Sequence, residues 1–157
     1  MPRMNSNLAN ICLDIYKNHP KYESYREQDN ALHLLFEQYP LNSNIEEVLL
    51  KVVALNDFYS TNIMNIHAVA SHIVKLQIDN KLQKHEMNIV PLIANVNFAK
   101  KGNRCFYSFA TKYCSMHFPQ YYPIVDKHVK NVLKLFRTDG YSRFKNKELA
   151  DYNIYCS

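Results

Sequence analysis

Along most of this chain apolar residues recur at steps of three and four, the spacing that gathers side chains on one face of a helix. Leu8, Ile11, Cys12 and Ile15 form a first such face, and His19-Pro20 ends it. Ala31, Leu34, Leu35 and Tyr39 continue the rhythm as far as Pro40. The run NSNIEEVLLKVVALN opens with Asn44 three residues before Glu47, a capping pattern, and is apolar on most sides, which predicts a central helix. Ser60 is a candidate cap for the next run, in which Ile63, Ile66, Ala70, Ile73 and Val74 line up. Polar DNKLQKHEMN predicts a loop with a short helix, Ile89 to Phe98 another apolar segment, and Lys100 to Arg104 the clearest break in mid-chain. CFYSFATKYCSMHF predicts a helix that stops before Pro119. Val129, Val132, Leu133 and Phe136 predict a last strong helix from Lys127 to Phe136, and Leu149, Tyr152 and Tyr155 suit a short closing one.

Only two glycines, Gly102 and Gly140, stand in 157 residues, which argues against a sheet rich in tight turns and against a glycine-rich phosphate loop. The expectation is an all-α fold in a single domain, 1–157, since a chain of this length with 47% hydrophobic residues can bury one substantial core. No apolar stretch is long enough to span a membrane, and the first twenty residues lack the apolar block of a signal peptide, so a cytoplasmic protein, nucleoid-associated if bacterial, is expected, and a monomer is the expected state. Cys12, Cys105, Cys114 and Cys156 make no CxxC pair and match neither zinc nor cluster spacing, which reads as free thiols, with a Cys105/Cys114 redox pair as the alternative. His117 and His128 flank Asp126 but lack a third ligand, so no metal and no cofactor is expected.

Charge changes the picture. Between Lys100 and Lys147 eleven basic residues face two acids, giving +9, and the total of +5 leaves −4 for the remainder. Such asymmetry suits a surface for a polyanion, with a solvated set of helix faces as the plainer alternative. Tyr107, Tyr113, Tyr121, Tyr122 and Tyr141 interleave with these bases, either to meet nucleobases or simply to pack.

Within the basic segment, YYPIVDKHVKNVLKLF carries one acid, Asp126, at the head of the last helix. As an N-cap it would accept backbone N–H bonds, and the helix dipole would favour its charge. The wording YPIVDKHVKNVL also resembles the loop and aspartate of the helix-hairpin-helix (HhH-GPD) DNA glycosylase superfamily, where an apolar-proline-apolar step leads to an aspartate capping a helix. That superfamily places a second active-site residue 18 positions upstream, which here is Ser108 in FYSFATKY. Members that also cut DNA carry lysine there, and a mostly base-removing branch carries serine. VLLKVVALNDFYSTNI resembles the family's central helix, with Asn56 where a DNA-probing glutamine stands, a position that a helix C-cap would also explain. The resemblance covers Asn44 to Phe136. Arg104 and Phe106 hold the places of the family's two hairpin glycines, and no four-cysteine cluster loop follows the last helix.

The resemblance implies a compact multi-helix HhH-GPD-like fold, duplex DNA as partner and hydrolysis of the bond between base and deoxyribose. Breaking that bond builds positive charge on the sugar, which a fixed anion at Asp126 would stabilise while orienting water. With serine at 108 there is no obvious amine for a Schiff base, which predicts a monofunctional reaction. Lys112, four residues after Ser108 and on the same helical face, is either a displaced amine or a surface lysine. Ser108 itself is either functional or an ordinary first-turn serine. Lys100, Lys101 and Arg104 would replace the lost hairpin by charge, and Lys127 and Lys130 would add phosphate contacts. Two rival readings are a DNA-binding module without activity on the same scaffold and a helical protein-interaction domain.

Overall fold

The computed structural model describes residues 6–98 and 102–138, with side chains from Asn10 to Lys134. Its elements run α1 (Ser6–Asn18), a 3-10 turn (Pro20–Tyr22), α2 (Glu23–Gln38), α3 (Ile45–Phe58), α4 (Ile66–Leu76), α5 (Asp79–Gln83) and α6 (Ile89–Ala94). There follow the short strands β1 (Asn95–Phe98) and β2 (Gly102–Cys105), then α7 (Tyr107–His117) and α8 (Lys127–Thr138). The fold is mostly helical, and the sheet is the correction to an all-α expectation. The apolar segment Ile89 to Phe98 divides into α6 and β1, and β1 pairs antiparallel with β2 from Asn95 opposite Cys105 to Phe98 opposite Gly102. Gly102 stands at φ +70°, a conformation that a side chain would strain. The Phe106 N–H donates to the Ala94 carbonyl at 2.8 Å, so α7 starts beside the end of α6.

Helix α7 is the axis of the core. Every residue from Phe109 to Met116 is buried, and α7 packs against α2, α3 and α6. The expected central helix, α3, is instead buried along one side by Val48, Lys51, Val52 and Leu55, while Leu50 and Val53 face outward. Its start follows the sequence: the Asn44 side chain accepts the Glu46 and Glu47 N–H groups at 2.9 and 3.1 Å. The apolar stripe expected in α2 is turned by one position. Leu32 and Phe36 are buried, whereas Leu34 is 67% exposed. Ser60 does not cap α4; it sits at φ +47° in the turn after α3, and Asn65 caps α4 by accepting the Ala68 N–H at 3.1 Å. Ile11, Cys12 and Ile15 of α1 are exposed. The closing helix expected around Leu149, Tyr152 and Tyr155 lies outside the described residues, as does Cys156.

One buried polar node ties four parts of the fold together. The Asn42 side-chain amide donates to Asp79 Oδ1 at 2.7 Å, and its carbonyl oxygen accepts from Lys51 Nζ at 2.8 Å, from the Tyr113 hydroxyl and from His117 Nε2 at 3.3 Å. Because that oxygen can only accept, the His117 proton is on Nε2. Lys51 also donates to the Tyr39 and Leu41 carbonyls at 2.9 and 2.8 Å, closing the C-terminal end of α2. Burial pushes the Lys51 amine down to about 8, against the pull of Asp79 and Glu47. Three oxygens around one buried ammonium satisfy all its protons, which is what makes a fully buried lysine tolerable.

Candidate functional site

The spacing of α7 sets the site. Ser108 and Lys112 are one turn apart and share a face. Between them Thr111 is fully buried, donates to the Ser108 carbonyl at 3.0 Å and accepts the Val125 N–H at 3.2 Å. That bond, with Tyr122 and Val125 buried on either side of Pro123, lays the segment before α8 across the first turns of α7. Asp126 therefore arrives beside Lys112.

The two Asp126 oxygens serve different helices. Oδ1 accepts the Val129 N–H at 2.9 Å, so the residue is the N-cap of α8 that its position predicts. Oδ2 accepts from Lys112 Nζ at 3.2 Å, and the same ammonium donates to Ser108 Oγ at 2.8 Å. The Lys112 side chain is 6% exposed and that of Asp126 21%. Lys112 is thus not a surface lysine. It is an amine held inside the protein between a hydroxyl and a carboxylate, with its Nζ 5.4 Å from the centre of the Tyr59 ring. Partial burial works to raise the Asp126 carboxyl, but the Val129 N–H, the Lys112 hydrogen bond and charge, and the His128 N–H outweigh it and hold the group below its ordinary value. The anion is present at neutral pH.

Asp126 opens on a cleft of about 280 Å³ lined by Tyr107, Ser108, Val125 and, from α8, Lys127, Lys130, Asn131 and Lys134. Positions 127, 130, 131 and 134 follow the helical repeat, so α8 turns one basic face to the cleft. Lys130 Nζ rests 5.3 Å from the centre of the Tyr107 ring. The arrangement can hold an anion on its rim and present a fixed carboxylate within.

Of the residues singled out from sequence, Asp126, Ser108, Lys112, Lys127 and Lys130 come together here. Arg104 is exposed on β2 and does not line the cleft. Lys100 and Lys101 lie outside the described residues. Asn56 is in the last turn of α3, whose C-cap is Tyr59, and its amide closes the turn that follows: Oδ1 accepts the Ile63 N–H and the Thr61 hydroxyl, both at 2.8 Å. Among the tyrosines of the basic segment, Tyr113 and Tyr122 pack in the core and Tyr121 stacks on His85. Among the described residues no group of three or more His, Cys, Asp or Glu side chains could hold a metal ion, and Cys12, Cys105 and Cys114 are free.

Sequence spacing does not reveal Tyr59 or the carboxylate behind it. The Tyr59 hydroxyl donates to Asp29 Oδ1 at 2.8 Å and the Tyr16 hydroxyl to Asp29 Oδ2, which joins α1, α2 and the end of α3 at the wall of the site. Burial first, then the Asp29 hydrogen bond and charge, raises the Tyr16 phenol to about 12 and the Tyr59 phenol further. Nothing in the spacing of positions 16, 29 and 59 announces this, because the meeting is tertiary.

The family described as HI_0787_N, N-terminal domain, matches residues 9–121. The matched stretch contains Ser108 and Lys112 and stops before Asp126. The chain is similar to an uncharacterized protein of Haemophilus influenzae, 42% identical over 113 residues that make up 71% of this chain and 56% of that protein. The chain therefore spans about half the length of this curated relative. No solved structure matches.

Proposed function

We propose that this protein, which belongs to the HI_0787_N family, is a DNA glycosylase-like enzyme that hydrolyses the bond between a damaged, mismatched or modified base and its deoxyribose. The observation that carries this reading is the convergence of Asp126, Ser108 and Lys112 at the edge of a cleft rimmed by Lys127, Lys130 and Lys134. Duplex DNA is the partner, and the scaffold is taken as a small, divergent HhH-GPD-like one in which the β1–β2 pair replaces the family's hairpin.

Each residue has a role. The lysines of α8 bind phosphates and place the strand. The base leaves the stack, with the Tyr107 ring as a face on which it can rest. As the glycosidic bond stretches, positive charge grows on the sugar, and the Asp126 carboxylate, already ionised and held by the α8 backbone, stabilises it and orients the attacking water. Lys112 keeps that carboxylate anionic in the resting site, and Ser108 keeps Lys112 in place.

The test is incubation with duplexes carrying a panel of base lesions, followed by alkali to break abasic sites. The expected result is base release that leaves the strand intact until alkali is added. Strand cleavage without alkali, together with a covalent adduct trapped by borohydride and lost in Lys112→Met, would replace the hydrolytic mechanism by an amine-catalysed one. No base release from any duplex leaves the non-catalytic DNA-binding reading.

A further inference from the structure

The surroundings of the Lys112 ammonium point to a residue that neither the resemblance nor the cap pattern names. Lys112 is almost wholly out of water, and its ammonium donates to two oxygens, Ser108 Oγ at 2.8 Å and Asp126 Oδ2 at 3.2 Å. The Tyr59 ring, 5.4 Å away, presents its negative face to the same ammonium. A cation over an aromatic face gains more as it is desolvated, and the Lys112 ammonium is, against a half-buried ring. The ring in turn is held by its hydroxyl on Asp29, a carboxylate that also accepts from Tyr16. Tyr59 follows the last residue of α3 while Lys112 is in the middle of α7, and α3 packs on α7. The ring is thus positioned from outside the α7–α8 unit.

We infer that Tyr59 is a positioning residue of this site: its ring, steadied by Asp29, fixes the Lys112 ammonium between Ser108 and Asp126. As far as base release is concerned, the inference rests on the glycosylase reading, but the positioning itself does not. Without the ring, Lys112 would keep its two oxygens and gain an open side toward the space the ring filled, and its distance from Asp126 would no longer be set.

The experiment places phenylalanine and then its increasingly fluorinated analogues at position 59, which preserves shape while draining the ring's negative face. The Lys112 ammonium is followed by nitrogen-15 NMR, its signal assigned by its loss in Lys112→Met. The expected result is a stepwise change in the Lys112 signal and faster exchange of its protons with water as fluorination rises, read against unsubstituted Phe, which has already lost the hydroxyl held by Asp29. A series flat from Phe to the most fluorinated ring would overturn the inference, since a ring that merely fills space would not respond. Tyr59→Leu adds the functional arm. Where the wild type releases a base, kcat is expected to fall about tenfold in Tyr59→Leu with KM little changed and to recover only in part in Tyr59→Phe, which restores the ring without its hold on Asp29. An unchanged kcat would show that the ring does not act through Lys112 in that reaction. A wild type that releases no base sinks the glycosylase reading and leaves the fluorination series to decide the positioning.

Discussion

Asp126 does two things that substitution can separate. In Asp126→Asn the side chain still accepts the Val129 N–H, so the cap survives, but the anion opposite Lys112 is gone. We expect base release to fall by orders of magnitude, and stability to fall by about 1–3 kcal/mol because a nearly buried ammonium loses its counter-charge. Adding Lys112→Met should recover stability measured by urea unfolding without recovering activity. The sign with pH is fixed by the direction of the shift. A carboxyl held below its ordinary value in the fold stabilises the protein above that value, roughly pH 4, and the contribution is lost as pH falls through the folded value. The gap between wild type and Asp126→Asn should therefore narrow in acid. The Asp126 cap is legible in the sequence because a cap is a local pattern, whereas its pairing with Ser108 is what the resemblance implies. The burial of Lys112 is not legible there: its i, i+4 relation to Ser108 is the same on a wet or a dry face, and only the packing of α2, α3 and α6 around α7 decides which.

The elements show the same division. Asn44 caps α3 as its spacing predicts, since Asn44, Glu46 and Glu47 meet within one turn. The phase of α2 departs from the expected stripe because Leu34 is as apolar as Leu32 or Phe36, and the side that faces inward is set by where α3 and α7 lie. In α7 the sequence reads as half polar, but Thr111, Lys112 and Ser115 are buried in the core face. Helix α8 makes the prediction at this scale. Its Lys127, Lys130 and Lys134 line the cleft beside Asp126, so replacing all three by alanine should reduce the slope of log affinity against log salt by about 3, one for each phosphate no longer neutralised. The weakening should be similar on every DNA sequence. A slope equal to that of the wild type in filter or fluorescence titrations would move the DNA surface off this helix.

For the whole molecule, the polar node in the core is expected to set much of the stability in acid. Burial, together with the charge of Lys51, pushes the His117 imidazole down to about 3. Between that value and the roughly 6.5 of a free histidine, the unfolded chain binds a proton that the folded one refuses, so stability should fall with falling pH by up to about 1.4 kcal/mol per unit. His117→Phe should flatten that limb in urea unfolding between about pH 6 and pH 4; an unaltered limb would assign it to other groups. The helical class and the hydrophobic core are foreseeable from composition and period, whereas the node is not, because Asn42 and Lys51, Asp79, and the pair Tyr113 and His117 come from three distant stretches of chain and are ordinary in their local settings. Asn42 has a further consequence for how such a chain can change. Its backbone N–H and side-chain amide both give to Asp79 while its carbonyl takes from three donors, a pattern of giving and taking that no other side chain of that size offers. Aspartate would set one carboxylate against another, and leucine would take the Asn42 partner from the Tyr113 hydroxyl and His117 Nε2 and one bond each from Lys51 and Asp79. Single-residue steps away from this amide are therefore expected to cost stability, which leaves position 42 little room to change beside the freedom of the exposed surface.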